Sequence, residues 1–226
     1  MDRRTYLGAI GATGTLALAG CVTGLFEDQP EDVILSPQDD QIAESSNLAY
    51  PAYGESLPSF ELTDPLSDTV IDTGQLDKTA ILTAFFAFCP AECGVLLHRL
   101  ADVQSMTNEN GLTDEVVFLP ITFDPERDDD DTLRDNAEMN RVDLDAGNWH
   151  YLRPADDEEA REIVGDTLGL EYERVAESER VEYYDFNHIV VTILANPDGV
   201  VERAYRGENL DRERVFADIE TIVDNA

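Results

Sequence analysis

Two cysteines four residues apart, in Cys89-Pro90-Ala91-Glu92-Cys93, carry the residue types best suited to chemistry in this chain of 226 residues. An apolar, aromatic-rich run over 80–88 precedes them and reads as a buried strand. After them Val95, Leu96, Leu97, Leu100 and Val103 recur at helical spacing, with Gly94 as the weak point. The cysteines therefore sit where a strand turns into a helix. Pro90 fits the first helical position, where a missing N–H costs nothing. That makes Cys89 the expected N-cap and places Cys93 one turn on, on the same face. Unpaired backbone N–H groups and the positive end of the helix dipole favour a thiolate there. Two thiolates on one turn can close a disulfide or hold a soft metal.

The elements around this turn alternate. Short strands are expected over 58–62 and 69–71, joined across Asp64-Pro65 as an N-terminal hairpin. The strand before the cysteines and the helix to about residue 106 come next, then a β-branched and aromatic strand over 116–123. Residues 128–131, four aspartates in a row, read as a solvated helix start with a helix over 132–141 behind it. Residues 149–152 read as a short strand, and 156–168 as a helix stopped by Gly169. Residues 171–184 are charged and irregular and give no assignment. A strand over 189–195, the turn Asn196-Pro197-Asp198-Gly199 and a returning strand over 200–205 form a late hairpin. An amphipathic helix over 211–223 closes the chain. The expected fold class is α/β, a central sheet, parallel where helices cross over and antiparallel at the late hairpin, flanked by helices. Sites in such sheets lie at the carboxyl ends of strands, where the cysteine turn falls.

The net charge is −34, and Lys78 is the only lysine. A surface this negative repels nucleic acid and anionic lipid headgroups, so neither is an expected partner. At about 1 M salt the Debye length falls to about 3 Å and self-repulsion is screened. The acid is spread over the whole chain, as expected of a salt-adapted, halophilic protein.

Residues 1–21 read as a processing signal. Arg3-Arg4 followed by Thr5-Tyr6-Leu7 resembles a twin-arginine (Tat) export signal. The small apolar stretch over 8–20 is too short for a span of about 20 residues. It ends in Leu18-Ala19-Gly20-Cys21, which resembles a lipobox. That resemblance implies cleavage before Cys21 and lipidation of Cys21, and hence a lipoprotein on the outer face of the cell membrane. Residues 22–55, acidic and broken by Pro30, Pro37 and Pro51, read as a tether, with Tyr50 to Tyr53 expected to begin packing on the domain. Residues 56–226 then form one exported domain. With Cys21 set aside, only Cys89 and Cys93 remain in it, which gives no disulfide framework.

The chain resembles the Sco (SenC) family, on four segments in order. The strand, Cys89-Pro90-x-x-Cys93 and helix are the first. Phe123-Asp124-Pro125-Glu126-Arg127-Asp128 resembles the family's Val-Asp-Pro-Glu-Arg-Asp. Trp149-His150-Tyr151-Leu152 resembles its Trp-His-Phe-Leu. Asp185-Phe186-Asn187-His188 with Asn196-Pro197-Asp198-Gly199 behind it resembles its histidine and hairpin. The similarity runs over about 57–224. Gly94, where a second proline is common, and Phe88 depart from the pattern without removing a ligand. The resemblance implies a thioredoxin-like fold and copper, Cu(I) or Cu(II), held by Cys89, Cys93 and His188. It also implies a partner, the copper-bearing subunit of a haem–copper terminal oxidase.

The chemistry agrees with copper. Thiolates select soft ions, and imidazole suits Cu(I), Cu(II) and zinc alike. Two sulfurs and one nitrogen leave an open position, as a metal to be handed on requires, and a closed zinc site would need a fourth ligand. Asp185 is the expected outer partner of His188. His98, five positions beyond Cys93, lies off the shared face and reads as a half-exposed helix residue. His150 reads as packing beside Trp149. The residues alone leave two functions open. One is an extracytoplasmic copper chaperone. The other is an enzyme, a thiol–disulfide reductase in which Cys89 attacks and Cys93 resolves. A peroxidase would need a hydroxyl or an arginine around the cysteine; Arg99 and Arg127 exist, but nothing in the sequence places them there.

Overall fold

The computed structural model describes residues 30, 32–175 and 184–226. An antiparallel hairpin comes first, β1 (Glu61–Asp64) with β2 (Thr69–Asp72). Buried Asp64 closes its turn, accepting the Leu66 N–H at 2.9 Å and the Ser67 hydroxyl at 2.7 Å. Strand β3 (Thr79–Phe85) and strand β4 (Val116–Thr122) are buried along their full lengths and pair in parallel. The crossover between them is α1 (Glu92–Glu109). Helix α2 (Asp130–Asn140) follows, capped by Asp129, which takes the Thr132 N–H. Helix α3 (Asp157–Ala160) continues as π-helix over Arg161–Thr167. A second small hairpin pairs β5 (Tyr172–Val175) with β6 (Asp185–His188). Strands β7 (Val191–Ala195) and β8 (Val201–Arg206) form the late hairpin, and α4 (Arg212–Asn225) ends the chain under an Asp211 cap.

The main sheet runs β4-β3-β7-β8, parallel at β3/β4 and antiparallel elsewhere. Helix α1 packs against α2 and α4, and α4 reaches β3. This is the expected mixed sheet flanked by helices, with an early and a late hairpin.

Four expectations change. The segment 149–152 is no continuous strand but two parallel bridges beside β4, Phe118↔Trp149 and Ile121↔Leu152. Pro120 lies between them. It accepts from the Leu152 N–H but has no N–H to return, so the ladder breaks at that point. The helix expected over 156–168 is α-helical for one turn only. Gly169 does stop it, at φ +63°, and a Cβ there would overlap the Ala49 carbonyl. Asp128, expected in a solvated run, is fully buried.

The fourth change concerns the expected tether. From Asp32 on, this stretch is bound to the domain as a strap over the β8 side of the sheet. Buried Glu202 accepts the Ile34 and Leu35 N–H groups at 2.8 and 2.9 Å. Arg203 donates to the Ser36 carbonyl, Asn196 to the Asp32 carbonyl, and Arg214 forks onto Asp40 at 2.8 and 2.9 Å. Further along, Gly54 and Val201 bond through N–H and C=O, as do Val201 and Glu55. Leu35, Tyr50, Ala52 and Tyr53 are buried. A buried carboxylate must be fully hydrogen-bonded, and the strap supplies Glu202 with two of its donors. Cys21 and the signal lie outside the described residues. No helix among the described residues is long and apolar enough to cross a membrane.

Candidate metal centre

Strand β3 delivers the chain to the site. After Phe85 the backbone turns over 86–91, with the Cys89 N–H on the Phe86 carbonyl at 3.3 Å. That extra turn delays the helix, which starts at Glu92 with Ala91 as N-cap and no side chain capping it. Cys89 is therefore not the N-cap expected from Pro90. Its sulfur does part of that work, because the Cys93 N–H donates to Cys89 Sγ at 3.4 Å. Cys89 is half-buried, Cys93 is buried, and both are free thiols. A Cβ on Gly94 would meet nothing within 4 Å, so this departure from the family pattern leaves the turn sterically unaffected.

The third residue comes from β6. His188 lies opposite Tyr172 in the β5–β6 ladder. Its ring stands edge-on to Phe86, with centroids 6.0 Å apart, and 5.3 Å from Phe123. His188 Nδ1 lies 3.3 Å from the Ile189 carbonyl, and Nε2 lies 3.7 Å from Cys93 Sγ. A proton on Nδ1 leaves the Nε2 lone pair facing the sulfurs, as a ligand requires. Asp185, the expected outer partner of the histidine, is exposed and accepts the Phe186 N–H instead. The backbone carbonyl takes the place assigned to it.

Ligand atoms of Cys89, Cys93 and His188 all fall within 4.8 Å of one another. The resemblance brings these three residues together in the sequence, and the structure brings them together in space. The Cys93 thiol hydrogen-bonds to Cys89 and pulls its pKa down, against the burial that raises it, and His188 pulls it further down. The same bond, with burial, pushes the Cys93 thiol up. Both shifts favour the thiolate on half-buried Cys89, which also accepts the Cys93 N–H, over buried Cys93. Burial lowers the pKa of His188, but the Cys89 thiolate and the Ile189 carbonyl outweigh it, and the net shift is upward. Glu92 Oε2 lies 3.7 Å from Cys89 Sγ and adds negative charge at the mouth. A soft cation would release the Cys93 proton and find two thiolates, one imidazole and an open side. With no metal bound, the same arrangement offers a nucleophilic Cys89 with Cys93 behind it.

The loop 123–128 holds both halves, a role the sequence reading did not give it. The Asp128 carboxylate accepts the Ala87 N–H at 3.0 Å and the Thr122 hydroxyl, and its other oxygen is buried without a partner. Burial pushes its pKa up to about 7. Buried Asp124 accepts the Tyr184 hydroxyl at 2.8 Å and pairs with Arg127, whose Nη1 donates to the Tyr184 carbonyl at 2.9 Å. The Asp-Pro-Glu-Arg-Asp segment is the signal in the sequence for this loop, and there it carries only the resemblance. Arg127 also lies over Phe88, at 5.1 Å, but its Nε and Nη1 serve Asp124 and Tyr184, its Nη2 is buried without a partner, and none of them bonds a cysteine. His98 is half-buried on α1, and His150 bonds Asp64 at 3.0 Å; neither joins the site.

The model of the family described as SCO1/SenC matches residues 52–224. No curated protein sequence matches the chain. Among solved structures, a SCO1/SenC family lipoprotein from Bacillus anthracis is 20% identical, with TM-score 0.61 over 74% of this chain and 95% of that one. ScoI of Bradyrhizobium japonicum, solved with copper bound, is 19% identical, with TM-score 0.60 over 74% and 99%. Yeast Sco1 with copper bound is 20% identical, with TM-score 0.61 over 76% and 91%. These likenesses establish the shared fold.

Proposed function

The chain belongs to the SCO1/SenC family, and from that premise we propose that it is an extracytoplasmic copper-binding chaperone. It would assist assembly of the copper site of a haem–copper (cytochrome c) oxidase, with Cys89, Cys93 and His188 as ligands. The observation that carries this is the convergence of two sulfurs and one imidazole nitrogen within 4.8 Å, from segments some hundred residues apart. Soft donors with an open side suit an ion that is passed on by ligand exchange. Copper-bound relatives of the same fold support the choice of ion. The acceptor is the copper-bearing subunit of the oxidase, which takes the ion with its own soft ligands. A second reading, reduction of disulfides in the oxidase or another exported protein, is favoured by the thiolate on Cys89.

Titrating the reduced protein with copper under argon, in about 1 M salt, tests the first reading. Wild type should take one equivalent, and His188→Ala should bind much more weakly. A protein that holds no copper but equilibrates with thiol redox buffers belongs to the second reading.

The same reading places the domain on the outer face of the cell membrane, exported by the Tat route and held by lipid on Cys21. Cys21→Ser should release it from membranes into the soluble fraction; retention there removes the lipid anchor from the account. The charge of −34 supports a halophilic and haloarchaeal origin. Unfolding midpoints should fall steadily as salt is withdrawn, and midpoints indifferent to salt would end that part of the reading.

A further inference from the structure

The hairpin that carries His188 has two strands of four residues each. Such a pair is marginal by itself in water, so its place is set by what grips it. Buried Phe186 packs on Phe86 and Phe123 from the middle of β6, and the polar grip is at Tyr184, just before it. The Tyr184 ring lies between two guanidinium groups, Arg127 and Arg174, each 3.7 Å from its centroid. Its hydroxyl donates to Asp124 at 2.8 Å, and its carbonyl accepts from Arg127 at 2.9 Å. The two cations are compensated from outside the sandwich. Arg127 pairs with Asp124, and Arg174 with Glu126 and Asp157 at 3.6 Å each. From Tyr184 the chain runs in extended strand to His188, so a shift at the first is carried to the second. The loop that grips Tyr184 also fixes the cysteine turn, through Asp128 and the Ala87 N–H.

We propose that Tyr184 is a positioning residue, a latch that keeps His188 over the two sulfurs, so that copper holds its nitrogen ligand only while the latch is closed. The proposal rests on the copper reading above and adds to it the element that would give way when the ion is handed on. Opening the latch leaves a two-sulfur site from which an acceptor can draw the ion. The aromatic cage of Phe86 and Phe123 is the rival holder of His188.

Tyr184→Ala and Tyr184→Phe, each in the full chain, decide between them. In the copper-free protein, amide hydrogen exchange should quicken over β6 in Tyr184→Ala and stay unchanged in α1. With Cu(II), that variant should keep its thiolate-to-copper absorption, lose the nitrogen coupling in its electron paramagnetic resonance spectrum, and bind about tenfold more weakly. Tyr184→Phe, which keeps the sandwich, should recover most of both. If Tyr184→Ala also loses protection in α1, Arg174→Gln opens one side of the sandwich near the surface, and the same changes are expected from it. Wild-type exchange over β6, or undiminished nitrogen coupling, overturns the latch. A wild-type chain that takes no copper overturns the chaperone reading instead, and the exchange data still decide whether Tyr184 holds the hairpin.

Discussion

The cysteine turn and the histidine hairpin reach the same point in space by different means. Cys89 and Cys93 are held by the elements on either side of them, a wholly buried strand and an 18-residue helix. Even the hydrogen bond between them, Cys93 N–H to Cys89 Sγ, closes within one turn. His188 sits on a four-residue strand placed by a loop some sixty residues earlier, through Tyr184. The cysteine half is therefore mostly local and stiff, with one long-range bond from the Ala87 N–H to Asp128, and the histidine half is assembled through tertiary contacts. On the proposed function, a site that holds an ion and hands it on would gain from that asymmetry, because the weaker half can move without unfolding the stronger.

The largest effect should come from the stiff half. Cys89→Ser or Cys93→Ser should abolish tight copper binding, whereas His188→Ala should leave weaker binding at two sulfurs. Equal loss in all three variants would erase the distinction. Next comes the residue under the cysteine turn. The Asp128 carboxyl is raised to about 7 by burial, against the ordinary 3.8 in the unfolded chain. Below about pH 4 it is protonated in both states and the fold has its full stability. As pH rises through 7 that stability is lost, by an amount on the order of 4 kcal/mol. Asp128→Asn should abolish this component, so its advantage over wild type should grow between pH 4 and 8 in denaturant titrations. A constant difference across that range would contradict the assignment. Between the two sulfurs, iodoacetamide at neutral pH should modify Cys89 faster than Cys93 by roughly tenfold or more, followed by mass spectrometry. Equal rates would mean that the thiolate is not favoured on Cys89. The smallest effect belongs to Gly94, which is helical, exposed and free of neighbours. Gly94→Ala should stabilise by about 0.5–1 kcal/mol, read as a raised melting temperature, without altering copper affinity.

The same asymmetry explains what could be read from the sequence. β3, α1, β4 and the late hairpin announce themselves, because buried runs, helical spacing and an Asn-Pro-Asp-Gly turn are local signals. The histidine hairpin does not. β5 is Tyr172-Glu173-Arg174-Val175, half charged, and it pairs with β6 because Phe186 and Tyr172 find Phe123 beneath them. Asp128 looked like its exposed neighbours in a run of four, and only the fold shows that it alone turns inward to the Ala87 N–H. His188 comes from the resemblance, and its Nε2 lies 3.7 Å from Cys93 Sγ; Tyr184 and Arg127, which hold it, have partners that no spacing reveals. The π-helical segment and the strap fail for a similar reason. The contacts at the end of that segment and at the strap, Ala49 at Gly169 and Glu202 at Ile34, lie more than a hundred residues away in the chain.

The strap also sets a distance. A free tether over 22–55 would let the copper site roam about 120 Å from a lipid on Cys21, at about 3.5 Å per extended residue. With the domain gripped from Asp32, only the ten residues 22–31 separate Cys21 from it, which bounds the span at about 35 Å. If Cys21 carries the lipid proposed above, a protein tied that closely searches the membrane plane, not the volume above it. On that proposal its acceptor would present its copper ligands within a few nanometres of the lipid surface, and lengthening the segment before Asp32 should slow delivery without touching affinity.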